Sequence, residues 1–185
     1  MADDDPTDAD LLARAAAGEM RAAAALLDRL GPRLLAFARR MTGGDAALAE
    51  DVVQEAFLRL WRRAGEWDGE GPAAMSTWLC RVAANLAIDA RRRAARATPA
   101  GDAMPDVPDQ APTAVARMIG AERVSALDAA LAKLPERQRQ AVVLRHIEGF
   151  SNPDIAAMLD CGVEAVESLT ARGKRRLREL LEEEE

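Results

Sequence analysis

The sequence predicts an all-α protein made of two small helical domains joined by a proline-rich linker. Alanine, leucine and arginine dominate the composition, and strand-favouring residues are sparse, with no Tyr and three Phe among 185 residues. Apolar residues recur with a helical period in several segments. Four prolines fall between residues 97 and 114 without an apolar period, which is typical of a mobile linker. The chain is long enough for one medium domain or two small ones, and the linker favours two.

The charge of the chain is unevenly distributed. The net charge of −6 is unusual for a protein that binds nucleic acid. However, acidic residues concentrate in a start predicted to be disordered over residues 1–6 and in a tail over 183–185. Basic residues cluster at residues 91–96 and 172–178. Because salt screens exposed charges beyond roughly 8–10 Å, these local clusters and not the total charge govern contact with phosphates.

The first predicted domain covers residues 7–96 and begins with three short alanine-rich helices, over residues 7–17, 19–30 and 33–41. Thr7 is suited to cap the first helix, with Asp10 three residues later as in a capping box. Gly31 and Pro32 are expected to separate the second helix from the third, since proline lacks the backbone donor that a helix interior needs.

A longer amphipathic helix is predicted over residues 45–63. Its apolar stripe consists of Val53, Phe57, Leu60 and Trp61. Polar residues, among them Asp51, Gln54, Glu55, Arg59 and Arg62, occupy the rest of its circumference. Periodicity alone leaves open that this is a core helix with a solvated outer face.

The next two segments carry the first candidate for nucleic-acid binding. A loop over residues 64–75 presents Trp67, and a helix capped by Ser76 or Thr77 follows to about Arg93. One ridge of this helix carries, at spacings of three and four, Trp78, Arg81, Asn85, Asp89 and Arg92. Aromatic rings and cations on one ridge suit single-stranded nucleic acid, whose bases stack on aromatic faces. The alternative is a solvated helix with a partly buried tryptophan.

The second predicted domain covers residues 115–182 and contains four helices that end in a helix-turn-helix. A helix over residues 115–133 and another from Pro135 to Gly149 precede it. Ser151 is suited to cap the next helix, which Gly162 ends before a longer basic helix begins.

The last helix has the features of a recognition helix. Its inward residues are predicted to be Val166, Thr170, Gly173, Leu177 and Leu180. Small or polar residues occupy its outer face near the start and cations follow, which is the order needed to approach base edges and then hold phosphates. A basic face on an ordinary pair of helices remains the alternative.

The sequence offers little support for catalysis or for a cofactor. There is one histidine, His146, predicted to be packed or to compensate a helix dipole, and no nucleophile motif or glycine-rich phosphate loop. Cys80 and Cys161 are too few for a zinc site, and we expect reduced thiols, Cys80 buried and Cys161 in a turn, with a redox switch as the alternative. No signal peptide or apolar run of 18 residues is present, so a cytoplasmic protein is expected.

Three runs together resemble one bacterial family over nearly the whole chain. They are DVVQEAFLRLWRR, TWLCRVAANLAIDARRR, and LPERQRQAVVLRHIEGFSNPDIAAMLDCGVEAVESLTARGKRRLREL. In order and spacing they resemble extracytoplasmic-function (ECF) sigma factors, group IV of the main bacterial sigma family. The resemblance implies a non-enzymatic factor that binds core RNA polymerase, through the β′ clamp helices and the β flap, and directs it to promoters.

The resemblance also implies roles for particular residues. The β′ clamp helices would meet Asp51, Gln54, Glu55, Leu58 and Trp61. The −10 element, where the strands separate, would meet Trp67, Trp78, Arg81, Asn85, Asp89 and Arg92. The −35 element would meet Glu167, Ser168, Ala171, Arg172 and Arg175. The family further implies a role in a stress or envelope response and an anti-sigma partner.

One departure from the family pattern concerns the recognition helix. Glu167 and Leu169 lie where many relatives carry arginines, so fewer cationic contacts are expected there, or a cytosine amino group read by Glu167. Two other classes of protein are weighed against this interpretation. A helix-turn-helix regulator that acts without core polymerase would share the last two helices, and a helical adaptor would share the amphipathic pattern but not the two basic faces.

Overall fold

A computed structural model describes residues 5–67, 72–97 and 118–183 of the chain. Most of the acidic start, nearly all of the predicted linker and most of the acidic tail lie outside the described residues. Within the described ranges every regular element is helical, as the sequence predicts. The eight α-helices of these ranges are α1 Asp8–Ala16, α2 Met20–Thr42, α3 Ala46–Arg63, α4 Pro72–Ala97, α5 Met118–Ala132, α6 Glu136–Val142, α7 Asn152–Leu159 and α8 Val163–Glu182.

The first bundle consists of α1 to α4, which pack on one another around an apolar core. Thr7 caps α1 in the predicted capping box, since its Oγ1 accepts from the backbone of Asp10 at 3.1 Å and the Asp10 carboxylate accepts from the Thr7 backbone at 3.0 Å. The largest side chains of this core with almost no exposed surface are Leu12, Leu26, Phe37, Met41, Leu60, Met75 and Leu79. Burial of these side chains is the main force that holds the four helices together.

The segment Met20–Thr42 forms one helix, so the predicted break at Gly31 and Pro32 is wrong. Pro32 lies inside α2, although it cannot donate to the preceding turn. The buried stripe continues across it, from Leu26 to Leu34 and Phe37. Burying that stripe as one surface outweighs the hydrogen bond that the proline removes.

Two further boundaries in this bundle differ from the prediction. α4 begins at Pro72, so neither Ser76 nor Thr77 is its cap, and it ends at Ala97. Proline suits a first helical position, because its missing N–H has no partner there in any helix.

In α3 the buried stripe lies partly one residue earlier than predicted: Val52 is buried, whereas Val53 and Trp61 are only half-buried.

The second bundle consists of α5 to α8, with a π-helical turn at Val143–Ile147 directly after α6. Its core includes Leu131, Val143, Leu144, Ile155 and Leu159. α8 crosses α6 closely at Gly173. A Cβ at this position would lie 2.7 Å from a methyl of Val142 and 3.1 Å from the backbone oxygen of Gln138, so only glycine fits here.

Candidate functional site

The helix-turn-helix is formed by α7 and α8. The Ser151 side chain accepts from the backbone N–H of Asp154 at 3.3 Å and caps α7, as the sequence predicts. α7 ends at Leu159, and the left-handed backbone of the following Asp160 (φ 52°) reverses the chain toward α8. Cys161 lies half-buried in this turn. This turn sets the angle between the two helices, and α7 packs against α8.

The outer face of α8 is open. Val166, Gly173 and Leu180 are buried and hold the helix on α6 and α7. The five residues predicted for the −35 element are all exposed on the opposite side: Glu167, Ser168, Ala171, Arg172 and Arg175. Glu167 accepts from the side-chain amide of Asn152 at 3.4 Å. This contact orients one carboxylate among small and cationic neighbours on the exposed face.

The ridge of α4 is split between solvent and the second bundle. Trp78 packs edge-to-face on Trp67, with ring centroids 5.8 Å apart. Asn85 and Asp89 are exposed. Arg81 instead pairs with the carboxylate of Asp154 at 3.1 Å, and Arg92 donates to the backbone oxygen of Leu159 at 3.1 Å, both in α7. The structure thus brings the two tryptophans together at one end of the ridge.

A basic cleft between α3 and α4 extends this ridge, and the sequence did not predict it. Its volume is about 400 Å³. It is lined by Leu86, Asp89, Arg92, Arg93 and Arg96 of α4 and by Arg59 of α3. The helical period of α4 places its own arginines on one side, but only the packing of α3 brings Arg59 to them. Four guanidinium groups around one cleft are suited to the phosphates of a nucleic-acid backbone.

The predicted polymerase-binding residues form one strip on α3. Asp51, Gln54 and Leu58 are exposed, and Leu58 retains 47% of its surface. Glu55 accepts from Arg59 at 2.9 Å, and this hydrogen bond is the main reason why the pKa of the Glu55 carboxyl is lowered. Trp61 lies half-buried at the end of the strip, 6.0 Å from the ring of Phe57. An exposed leucine that follows two carboxylates, Asp51 and Glu55, on one strip is suited to a partner with an apolar spot next to basic groups.

The structure also shows the surroundings of the histidine and of the buried cysteine that the sequence analysis considered. His146 is exposed, so it is not packed, and compensation of a helix dipole stays a prediction. Partial desolvation and then Lys174 and Arg145 lower the pKa of His146. Burial and the neighbouring Glu148 raise the pKa of the Cys80 thiol to about 12, so it stays protonated and unreactive at neutral pH. Among the described residues, no group of three His, Cys, Asp or Glu could hold a metal ion. No helix in the same ranges is long and apolar enough to cross a membrane.

Family comparisons match both bundles. The model of Sigma-70 region 2 matches residues 26–97, and that of Sigma-70 region 4 matches residues 125–177. The chain is 36% identical over 176 residues to the ECF RNA polymerase sigma factor SigM of Mycobacterium tuberculosis, covering 95% of this chain and 85% of that one. It is 32% identical over 191 residues to the RNA polymerase sigma factor CnrH of Cupriavidus metallidurans, covering 96% of both chains.

Two solved structures are similar to the whole fold. CnrH in complex with the cytosolic domain of CnrY has a TM-score of 0.52 at 32% identity, over 96% of this chain and 99% of that one. The sigma factor RpoE of Bartonella quintana, solved with the anti-sigma factor NepR, has a TM-score of 0.56 at 25% identity, over 84% and 94% of the two chains. Both similarities extend across the two bundles.

Proposed function

The chain belongs to the family of ECF RNA polymerase sigma factors, and from this premise we propose how its surfaces divide the work of promoter recognition. As a sigma factor it directs core RNA polymerase to promoters and starts transcription there. We assign polymerase binding and the −10 element to residues 7–96 and the −35 element to residues 115–182, with residues 97–114 as the connection. The observation that carries this assignment is the presence of two separate basic faces, one on α4 and one on α8.

The −35 element is read as intact duplex by α8. Apart from Val163 at its start, the exposed residues of its first turns are small or polar, so the helix backbone can approach the base edges in the major groove. Arg172 and Arg175 follow on the same face and are suited to phosphates or to a guanine edge. Glu167 is suited to accept from a cytosine amino group, and its contact with Asn152 holds it in place for that.

The −10 element is held by α4 once its strands separate. Opening a duplex without ATP requires the protein to compensate for lost stacking and pairing, which cost a few kcal/mol for each flipped base. The paired rings of Trp67 and Trp78 offer stacking surfaces, and the exposed amide of Asn85 offers hydrogen bonds to a base edge. The cleft of four arginines next to Asp89 then binds the backbone of the displaced strand.

Core polymerase binds the strip on α3 through its β′ clamp helices, and the β flap receives the second bundle. The strip combines carboxylates with the exposed Leu58, which suits a basic helical surface with an apolar centre.

An anti-sigma factor is a further partner, because the solved relatives were captured with CnrY and with NepR. Exposed apolar side chains at Met20, Leu27 and Val124 are suited to being covered by such a partner. The protein acts in the cytoplasm, as a non-enzymatic factor, in a stress or envelope response.

Run-off transcription with purified core polymerase on a pool of genomic fragments tests this function. We expect discrete transcripts only when the protein is present.

Leu58→Arg on the α3 strip should weaken core binding by about tenfold or more, since it places a cation at the apolar centre of a basic partner surface.

The matched control is Leu27→Arg on α2. Leu27 is 41% exposed, close to the 47% of Leu58, and lies outside the α3 strip. Equal loss of core binding by Leu58→Arg and Leu27→Arg would reject the assignment of the α3 strip to polymerase binding. Failure of the wild-type protein to bind core enzyme or to select start sites, together with sequence-specific duplex binding by itself, would favour a regulator that acts without polymerase.

A further inference from the structure

Val163 is an exposed apolar side chain at the start of α8. It is the first residue of the helix and keeps 40% of its surface. Among the described residues of α7 and α8, no other large apolar side chain is exposed to this extent. A single exposed valine is common on protein surfaces, but valine is also a poor helix former. Neither full burial nor helix propensity therefore accounts for a valine at this position.

The backbone just before Val163 leaves room for a close approach. Gly162 is the N-cap of α8, and no side-chain hydrogen bond caps the helix there. Gly162 is exposed, and a Cβ at its position would meet nothing within 4 Å. Because glycine has no side chain, nothing at this position stands between Val163 and a molecule that approaches the start of α8.

Val163 lies on the same line along α8 as Glu167. The two residues are four positions apart and Ala171 follows four positions later, so their side chains are neighbours on the helix surface. All three are exposed, whereas the adjacent Val166 is buried. Glu167 accepts from the side-chain amide of Asn152 at 3.4 Å. The line therefore presents two methyl groups, then an oriented carboxylate, then one more methyl group.

These groups match chemical groups that the major groove presents. Thymine carries a 5-methyl group there, which apolar side chains contact, and cytosine carries an amino group, from which a carboxylate accepts. In a helix-turn-helix the first residues of the recognition helix meet the base edges. Val163 is thus suited to contact a thymine methyl on the same face on which Glu167 is suited to accept from a cytosine.

On the basis of the proposed assignment of α8 to the −35 element, we propose that Val163 is a specificity-determining residue of that contact. It selects a thymine in the −35 element by burying the 5-methyl group of the base against its own two methyl groups. Because this contact is apolar, it adds sequence selectivity without adding attraction for phosphates. Arg172 and Arg175 differ in this respect, since a guanidinium is attracted to the phosphates of every sequence.

The size and the salt dependence of the effect follow from the group that is buried. Loss of one methyl-sized group from an apolar contact should weaken binding about fourfold, which corresponds to about 0.8 kcal/mol. An apolar contact releases no counterions, so this factor should be the same at low and at high salt. Contacts with phosphates weaken as the salt concentration rises. Salt independence therefore separates a methyl contact from a general change in affinity for DNA.

The test uses holoenzyme reconstituted with the full chain and a promoter obtained from the run-off pool. Each thymine of the −35 element is replaced, one at a time, by deoxyuridine, which lacks only the 5-methyl group. With the wild-type protein we expect one position at which this replacement weakens promoter binding about fourfold, at low and at high salt. Thymines of the spacer between the two elements are the DNA control, and their replacement should change binding less than about 1.5-fold.

Two substitutions at the same position assign the effect to the valine. Val163→Ser should bind the thymine and the uracil promoter within about 1.5-fold of each other, because it removes both methyl groups. Val163→Ile is the matched control and should keep the preference for thymine, since it keeps an apolar side chain. Each preference compares two DNA molecules with the same protein, so it does not depend on the folded fraction of a variant.

Three outcomes would overturn the role of Val163. They are wild-type binding that tolerates uracil at every thymine, an undiminished preference in Val163→Ser, and a loss of preference by Val163→Ile as complete as that by Val163→Ser. Selective run-off transcription without any dependence on the methyl group would refute this role alone. Absence of selective transcription by the wild-type protein would refute the proposed function and this role with it. The two failures are therefore distinguishable.

Discussion

At the scale of single residues, the five α8 residues proposed for the −35 element combine one carboxylate with two guanidinium groups. Glu167 favours bases that present a donor and disfavours phosphates, whereas Arg172 and Arg175 attract phosphates and guanine edges. This combination lowers the non-specific attraction of phosphates at the start of α8. It keeps that attraction further along the helix, at Arg172 and Arg175. The choice of sequence should therefore depend more on these three side chains than on the total charge of the protein.

Arg172→Ala tests the central cation of this face. We expect it to cost about 1–3 kcal/mol of promoter binding by the reconstituted holoenzyme, because Arg172 is exposed and lies one turn after Ser168 on the same side. Competition binding at fixed salt measures the loss. Arg178→Ala, further along the exposed side of α8, serves as the control and should cost less; equal losses would assign the effect to general charge.

Which side chains face outward could be predicted from the sequence, but their partners could not. The helical period places Arg81 and Arg92 on one ridge with Asn85, as observed. That both cations meet α7 depends on contacts between residues about 70 positions apart, which a local pattern does not contain. The burial of Arg139 escaped prediction for the same reason, since an arginine in a polar run normally indicates a solvated face.

At the scale of elements, two helix caps were predicted correctly, whereas the break in α2 and the start of α4 were not. Thr7 and Ser151 begin helices where the sequence places them, because a cap depends on a few neighbouring residues. Pro32 did not end α2 and Ser76 did not begin α4, because burial along a long apolar stripe decided those boundaries. The π-helical turn after α6 had no signal in the sequence that we recognised.

The capping box of α1 should give the first bundle a specific response to acid. Hydrogen bonds from Thr7 lower the pKa of the Asp10 carboxyl in the folded protein. A carboxyl with a lowered folded pKa adds stability above its unfolded pKa of about 3.9, and that stability is lost as the pH falls through the folded value. We therefore expect Asp10→Asn to lower the melting temperature by a constant amount from about pH 8 to pH 5, and by less below about pH 4.

Thermal melts followed by circular dichroism at several pH values check this expectation. The control is Asp28→Asn, which removes an exposed carboxylate of the same bundle, on α2, that takes no part in the capping box. A difference between Asp10→Asn and the wild type that grows in acid would contradict the assigned direction of the shift.

At the scale of the whole molecule, ion pairs join the two bundles, and the buried apolar residues of both bundles belong to one hydrophobic cluster. The composition and the proline-rich segment predicted two helical domains, and the assignment of their limits remains a prediction. What the sequence did not predict is that the bundles contact each other through the ridge assigned to DNA. Ion pairs of Arg33 with Glu148 and of Arg40 with Asp128 connect residues of the two bundles that are far apart in the sequence.

This arrangement predicts how the chain behaves when it is divided. Residues 1–97 and 118–185, expressed separately, should each unfold cooperatively, since each contains four helices that pack on one another and bury large apolar side chains. Mixed at about 50 μM they should not associate, because partly exposed ion pairs worth about 0–1 kcal/mol each do not overcome the entropy of association. In the intact chain the covalent connection gives each bundle an effective concentration in the millimolar range relative to the other. The same contacts can therefore hold the two bundles together. Sedimentation velocity on the mixture measures association, and a stable complex would mean that the bundles form one permanent unit.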